Sequence, residues 1–110
     1  MEELLKNVIE FIESGEENIK KYRFNAAVSD FFKAIVISCD YLIYTEIKKL
    51  PKNHNERFSL LQKYFDTIYK EVSKLFGTYV RSYNLRLTEE EANEIREYTY
   101  RLKDKILNKK

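Results

Sequence analysis

A helix that is apolar nearly all the way round has to be covered on several sides, and residues Tyr22 to Tyr44 read as such a helix. Phe24, Ala26, Ala27, Val28, Phe31, Phe32, Ala34, Ile35, Val36, Ile37, Cys39, Tyr41, Leu42, Ile43 and Tyr44 leave almost no polar face. Other helices must wrap it. Gly and Pro are nearly absent (Gly15, Gly77 and Pro51), and no strand-type alternation interrupts the chain. These features predict an all-α fold of four to five helices joined by short turns. At 110 residues the chain is one domain. A domain of this size buries roughly 65% of its unfolded surface.

The first helix is expected from about Glu2 to Tyr22. Leu5, Val8, Ile12, Gly15, Ile19 and Tyr22 recur at steps of three and four and form a seam toward another helix. Gly15 falls on that seam, where it permits a close approach or a bend; a break at Ser14–Gly15 is the alternative. The second helix spans roughly Phe24 to Leu50, and Pro51 ends it, because the residue before a proline avoids the helical region. Asn53 or Asn55 caps a third helix carrying Phe58, Leu61, Tyr64 and Phe65. Asp66 either caps a fourth helix or lies within a continuous one, and Ile68, Tyr69, Val72, Leu75, Phe76, Tyr79, Val80 and Tyr83 follow. Thr88-Glu89-Glu90-Glu91 is a capping box that opens a last helix. Its buried face is Ala92, Ile95, Thr99, Leu102 and Ile106. The domain is expected over 1–107, with 108–110 a frayed basic end.

The chemistry is sparse. The one cysteine, Cys39, lies in the apolar helix and reads as a small buried hydrophobe. One histidine and one cysteine give no ligand pair at metal spacing, so neither a metal nor a cofactor is expected. The glutamates at 89, 90, 91 and 94 suit a helix N-terminus. No stretch has the pattern of a signal peptide, and Lys33 and Asp40 interrupt the longest apolar run, so a cytoplasmic protein off the membrane is expected. A net charge of +2 does not by itself imply nucleic acid. Nine tyrosines and seven phenylalanines suit a core boundary or a subunit interface. Asp30 and Lys33, three residues apart, read as a local ion pair at the core edge, or as the lining of a groove. A tetratricopeptide-like scaffold is disfavoured by the lack of a repeat.

Several segments, taken in order, resemble HEPN domains. Tyr22-Arg23-Phe24-Asn25-Ala26-Ala27-Val28, then Phe31-Phe32-Lys33-Ala34 and Asp40-Tyr41-Leu42-Ile43, look like their paired long helices. Pro51-Lys52-Asn53-His54 before Phe58-Ser59-Leu60-Leu61 looks like their usual connection. Arg81-Ser82-Tyr83-Asn84 before Thr88-Glu89-Glu90-Glu91-Ala92 looks like the turn into their last helix. The resemblance implies an up-and-down antiparallel bundle of four to five helices that commonly forms homodimers. It also implies a small nucleotidyltransferase as partner, in toxin–antitoxin pairs. Active members of the family are metal-independent ribonucleases with an Arg followed four to six residues later by a His. The His acts as acid or base while the Arg stabilises the phosphorane.

This chain departs from that signature. Neither Arg81 nor Arg86 is followed by a histidine at the required distance. A tyrosine phenol, with a reference pKa of about 10, is a poor substitute base. No catalytic residue is therefore assigned, and an enzyme is the less favoured reading. The candidate contacts are Arg81, Tyr83, Asn84 and Arg86, either toward phosphate, RNA or a partner protein, or as ties to glutamates of the last helix. His54 and Arg57 are weaker candidates for an acid and a phosphate clamp. The expected function is a non-enzymatic, homodimeric, HEPN-like partner subunit of a nucleotidyltransferase. An RNA-binding or RNA-cleaving protein with a degenerate site is the alternative.

Overall fold

The computed structural model describes residues 1–108 and folds as an all-α bundle of five helices. They are α1 (Glu2–Lys20), α2 (Phe24–Ile47), α3 (His54–Tyr64), α4 (Asp66–Arg81) and α5 (Glu89–Leu107). The central position of α2 follows from its composition. Ala27, Val28, Phe31, Phe32, Ala34, Ile35, Cys39, Leu42 and Ile43 are all buried. α1 and α5 pack on one side of α2, and the α3–α4 hairpin packs on the other. Of the apolar positions expected in this helix, Ala26 is exposed, and Phe24, Val36, Ile37 and Tyr44 are half-buried.

The α1 seam holds through Leu5, Val8, Ile12 and Gly15, and the helix passes through Ser14–Gly15 unbroken. It stops short of Tyr22, which has φ 59 and is 74% exposed. The left-handed residue turns the chain sharply into α2, and this rotates the Tyr22 ring off the seam. α2 likewise ends before Pro51. Lys48 adopts φ 60 and closes the helix with its N–H on the Tyr44 carbonyl at 2.8 Å. Such a left-handed residue satisfies an orphan carbonyl without help from proline.

Asn53 caps α3, its side-chain oxygen accepting from the Glu56 amide at 2.9 Å. Asp66 does not cap α4. The chain breaks at Phe65 (φ −142, ψ 62), and Asp66 is the first helical residue, paired with Lys70. A carboxylate in a first turn is favoured there by the helix dipole. Of the α3 apolar residues only Leu61 is buried, and Tyr64 is exposed.

The capping box at Thr88 is formed. The Thr88 hydroxyl accepts from the Glu91 amide at 3.1 Å, and the Glu91 carboxylate accepts from the Thr88 amide at 3.0 Å. Thr88→Ala is expected to cost about 1 kcal/mol, read as a lower urea midpoint. All five residues of the expected α5 face are buried. Glu16 ties α1 to α5 by accepting from Arg96 at 2.6 Å and Tyr100 at 2.7 Å. Burial pushes the Glu16 carboxyl upward, but those two hydrogen bonds outweigh it and hold the group below its ordinary value. Asn108 closes α5 with its N–H on the Asp104 carbonyl. The remainder of the expected frayed end lies outside the described residues.

Candidate functional site

The turn between α4 and α5 is built on a residue of another helix. Asn25, in the first turn of α2, donates to the Ser82 carbonyl at 2.8 Å and the Leu85 carbonyl at 2.6 Å. Its side-chain oxygen accepts from the Leu87 amide at 3.0 Å. One amide side chain thus satisfies three backbone groups of a loop that has no ladder of its own. Leu87 is buried beside this clamp.

The four leading candidates do not converge on one point. Arg81 donates to the Glu91 carboxylate at 2.7 Å and reaches Thr78 at 3.4 Å, so it ties the helix junction to α5. The Thr88 amide first, then Arg81, hold the Glu91 carboxyl below its ordinary value. A depressed carboxyl pKa stabilises the fold above the unfolded value, so this tie is lost as pH falls through the folded pKa. Tyr83 turns the other way, its hydroxyl 2.8 Å from that of Tyr79. The bond to Tyr83, and then burial, raise the Tyr79 phenol further from neutrality. Asn84 and Arg86 are exposed, and Arg86 has no ion-pair partner among the described residues.

His54 and Arg57 come together elsewhere. Arg57 donates to His54 Nδ1 at 2.8 Å. It also grips Asp40 of α2 with two bonds, at 2.6 and 2.9 Å. A guanidinium only donates, so Nδ1 accepts and the imidazole hydrogen sits on Nε2. The imidazole packs against Phe58 and Phe76, with ring centroids 6.4 and 6.1 Å away. Phe76 and Tyr79 in turn flank Phe32, which stacks on Tyr79 at 4.8 Å.

These contacts divide α4 into two faces. Phe76, Tyr79 and Tyr83 look toward the His54 side, whereas Thr78 and Arg81 look toward α5. Positions 79 and 81 are about 200° apart around the helix. Arg81 and His54 therefore lie on opposite sides of α4, and within one chain they form no phosphate clamp.

The His54 side opens into a groove of about 460 Å³. Phe11, Phe32, Val36, Ile37 and Tyr79 make its apolar lining, and Lys33, Asn53, His54 and Arg57 its polar lining. Lys33 does not pair with Asp30. Asp30 accepts instead from Ser14 at 2.7 Å and Asn18 at 2.8 Å across the α1–α2 contact, while Lys33 lies over the Phe11 ring at 5.5 Å.

Cys39 is fully buried and burial drives its thiol far upward, so it is no nucleophile. Among the described residues no group of three or more His, Cys, Asp or Glu is placed to hold a metal, and no helix is long and apolar enough to cross a membrane.

Asn25 was not legible as a site residue, whereas Lys33 takes the groove-lining alternative read from the sequence. Asp40 carried a signal: a carboxylate inside an apolar helix calls for a cation from another helix. No family model, curated protein or solved structure matches this chain.

Proposed function

We propose that the chain is a non-enzymatic, HEPN-like helical module that associates with a second copy of itself. In this reading it serves as the partner subunit of another protein, and the resemblance points to a nucleotidyltransferase as that partner. The observation that carries the proposal is the end of the bundle where α2 begins and α4 stops. Asn25 fixes that end, and Tyr22, Val80, Tyr83 and Leu85 stand there 74%, 47%, 75% and 53% exposed. Large apolar side chains gathered on a rigid corner suit a protein contact, and tyrosine is a favoured interface residue.

Sedimentation analysis at micromolar concentration tests it. A dimer is expected, and Leu85→Glu is expected to convert it to monomer with the helical signal unchanged. A wild-type chain that stays monomeric, and draws no partner in co-purification, contradicts the proposal.

RNA binding is the second reading, favoured by one observation. Arg23 and Arg86 are exposed, lack ion-pair partners among the described residues, and flank the Asn25 clamp beside the exposed tyrosines. Cations interleaved with aromatic rings suit single-stranded RNA. Cleavage has less support, because Arg81 is engaged by Glu91 and faces away from His54.

A further inference from the structure

We propose that the groove between α1, α2, the start of α3 and α4 binds a small amphipathic monoanion: an aromatic or branched apolar body carrying one carboxylate or sulfonate. The reading is independent of the dimer and of RNA, since it uses none of the residues of the exposed corner.

The shape supplies the first part. A concavity of about 460 Å³ lies within the range of roughly 300–1,000 Å³ usual for small-ligand sites, which combine apolar walls with a few placed polar groups. Phe11 comes from α1, Phe32, Val36 and Ile37 from α2, and Tyr79 from α4, so three helices fix the walls. Phe32 is buried and stacked on Tyr79, which holds the floor rigid.

Charge supplies the second part. Both Asp40 oxygens are taken by Arg57, which makes that pair neutral. His54, with its Nδ1 occupied by Arg57, keeps an Nε2–H that no described residue accepts. Lys33 is exposed and has no ion-pair partner among the described residues, because Asp30 is engaged by Ser14 and Asn18. The groove therefore carries one uncompensated positive charge beside an apolar floor. A single negative charge balances it, whereas a phosphate dianion exceeds it. The apolar body displaces water from the floor, and the head group takes the Lys33 ammonium and the His54 N–H.

The test uses two probes that share a ring system and differ by one charge: anilinonaphthalene sulfonate and uncharged phenylnaphthylamine. The sulfonate is expected to bind one to one, with amide shifts confined to Phe11, Lys33, Ile37, His54 and their neighbours. Lys33→Gln is expected to weaken the sulfonate about five- to tenfold, the worth of one charge-assisted contact at a partly wet site. It should leave phenylnaphthylamine within about twofold. Ile37→Trp, which fills the groove, is expected to abolish both. Naphthoate, an aromatic monocarboxylate, is expected to compete with the sulfonate and inorganic phosphate not to. The proposal is overturned by non-saturating binding, by shifts that map elsewhere, by a sulfonate affinity indifferent to Lys33→Gln, or by competition from phosphate but not naphthoate. Lys33 is exposed and Ile37 half-buried, and an unchanged helical signal and urea midpoint confirm that each variant is folded.

Discussion

Asp40→Ala is expected to destabilise the protein by about 3–5 kcal/mol, a large part of the stability of an ordinary domain. Asp40 sits in the most apolar helix of the chain and meets Arg57 through two bonds of 2.6 and 2.9 Å, with side-chain exposures of 16% and 12%. Removing the carboxylate leaves a mostly buried guanidinium with only His54 Nδ1 as acceptor. The cost is that of the stranded cation, and it is larger than the net worth of the pair. A buried ion pair exchanged for well-packed apolar residues is often neutral or better. The double variant Asp40→Leu/Arg57→Met is accordingly expected to be more stable than Asp40→Ala. Urea midpoints at unchanged slope measure both. A loss below about 1 kcal/mol in the single variant, or a double variant worse than the single, shows that the pair is not effectively buried.

The same pair shows which kind of information a sequence carries. The apolar surplus of α2 is a local property, and it predicts burial without knowledge of any neighbour. The capping box at Thr88 is local too, because its partners are three residues apart. Pairings between helices depend on rotation and register, which no window of the sequence contains. Asp30 and Lys33 are correctly spaced for an ion pair along one helix, yet α1 offers Ser14 and Asn18 to Asp30 and Phe11 to Lys33. The Asn25 clamp is harder still to foresee, since its acceptors and donor lie 57 to 62 residues away. Tyr22 fits the α1 seam by spacing and leaves it because of one left-handed backbone conformation. Of the candidate site, the tie from Arg81 to a glutamate of the last helix was legible, and the rest only as residue types. Arg81 is spent on the helix junction and Tyr83 meets Tyr79 on the other face, while the weaker pair, His54 and Arg57, borders the groove.

The two glycines are expected to respond with opposite signs to one substitution. A β-carbon on Gly15 meets Cζ, Cε1 and Cε2 of Phe31 at 2.7, 2.8 and 2.9 Å. Phe31 of α2 is fully buried, so its ring has no solvent to move into. A β-carbon on Gly77 meets nothing within 4 Å, and that position is exposed. Neither glycine has positive φ, so backbone strain does not enter. Gly77→Ala is expected to gain about 1 kcal/mol from helix propensity alone. Gly15→Ala receives the same propensity gain, yet overpacking at Phe31 is expected to turn it into a net loss of about 1–2 kcal/mol, with Gly15→Val losing about 2–3. The close approach of α1 to α2 is then the cause, and shortening the opposing ring must relieve it. Phe31→Leu is expected to be less harmful in the Gly15→Ala background than in the wild type, a coupling that a double-mutant cycle reads directly. A Gly15→Ala variant that is stabilised as much as Gly77→Ala, or a cycle with no coupling, refutes the packing of Phe31 on the Gly15 backbone.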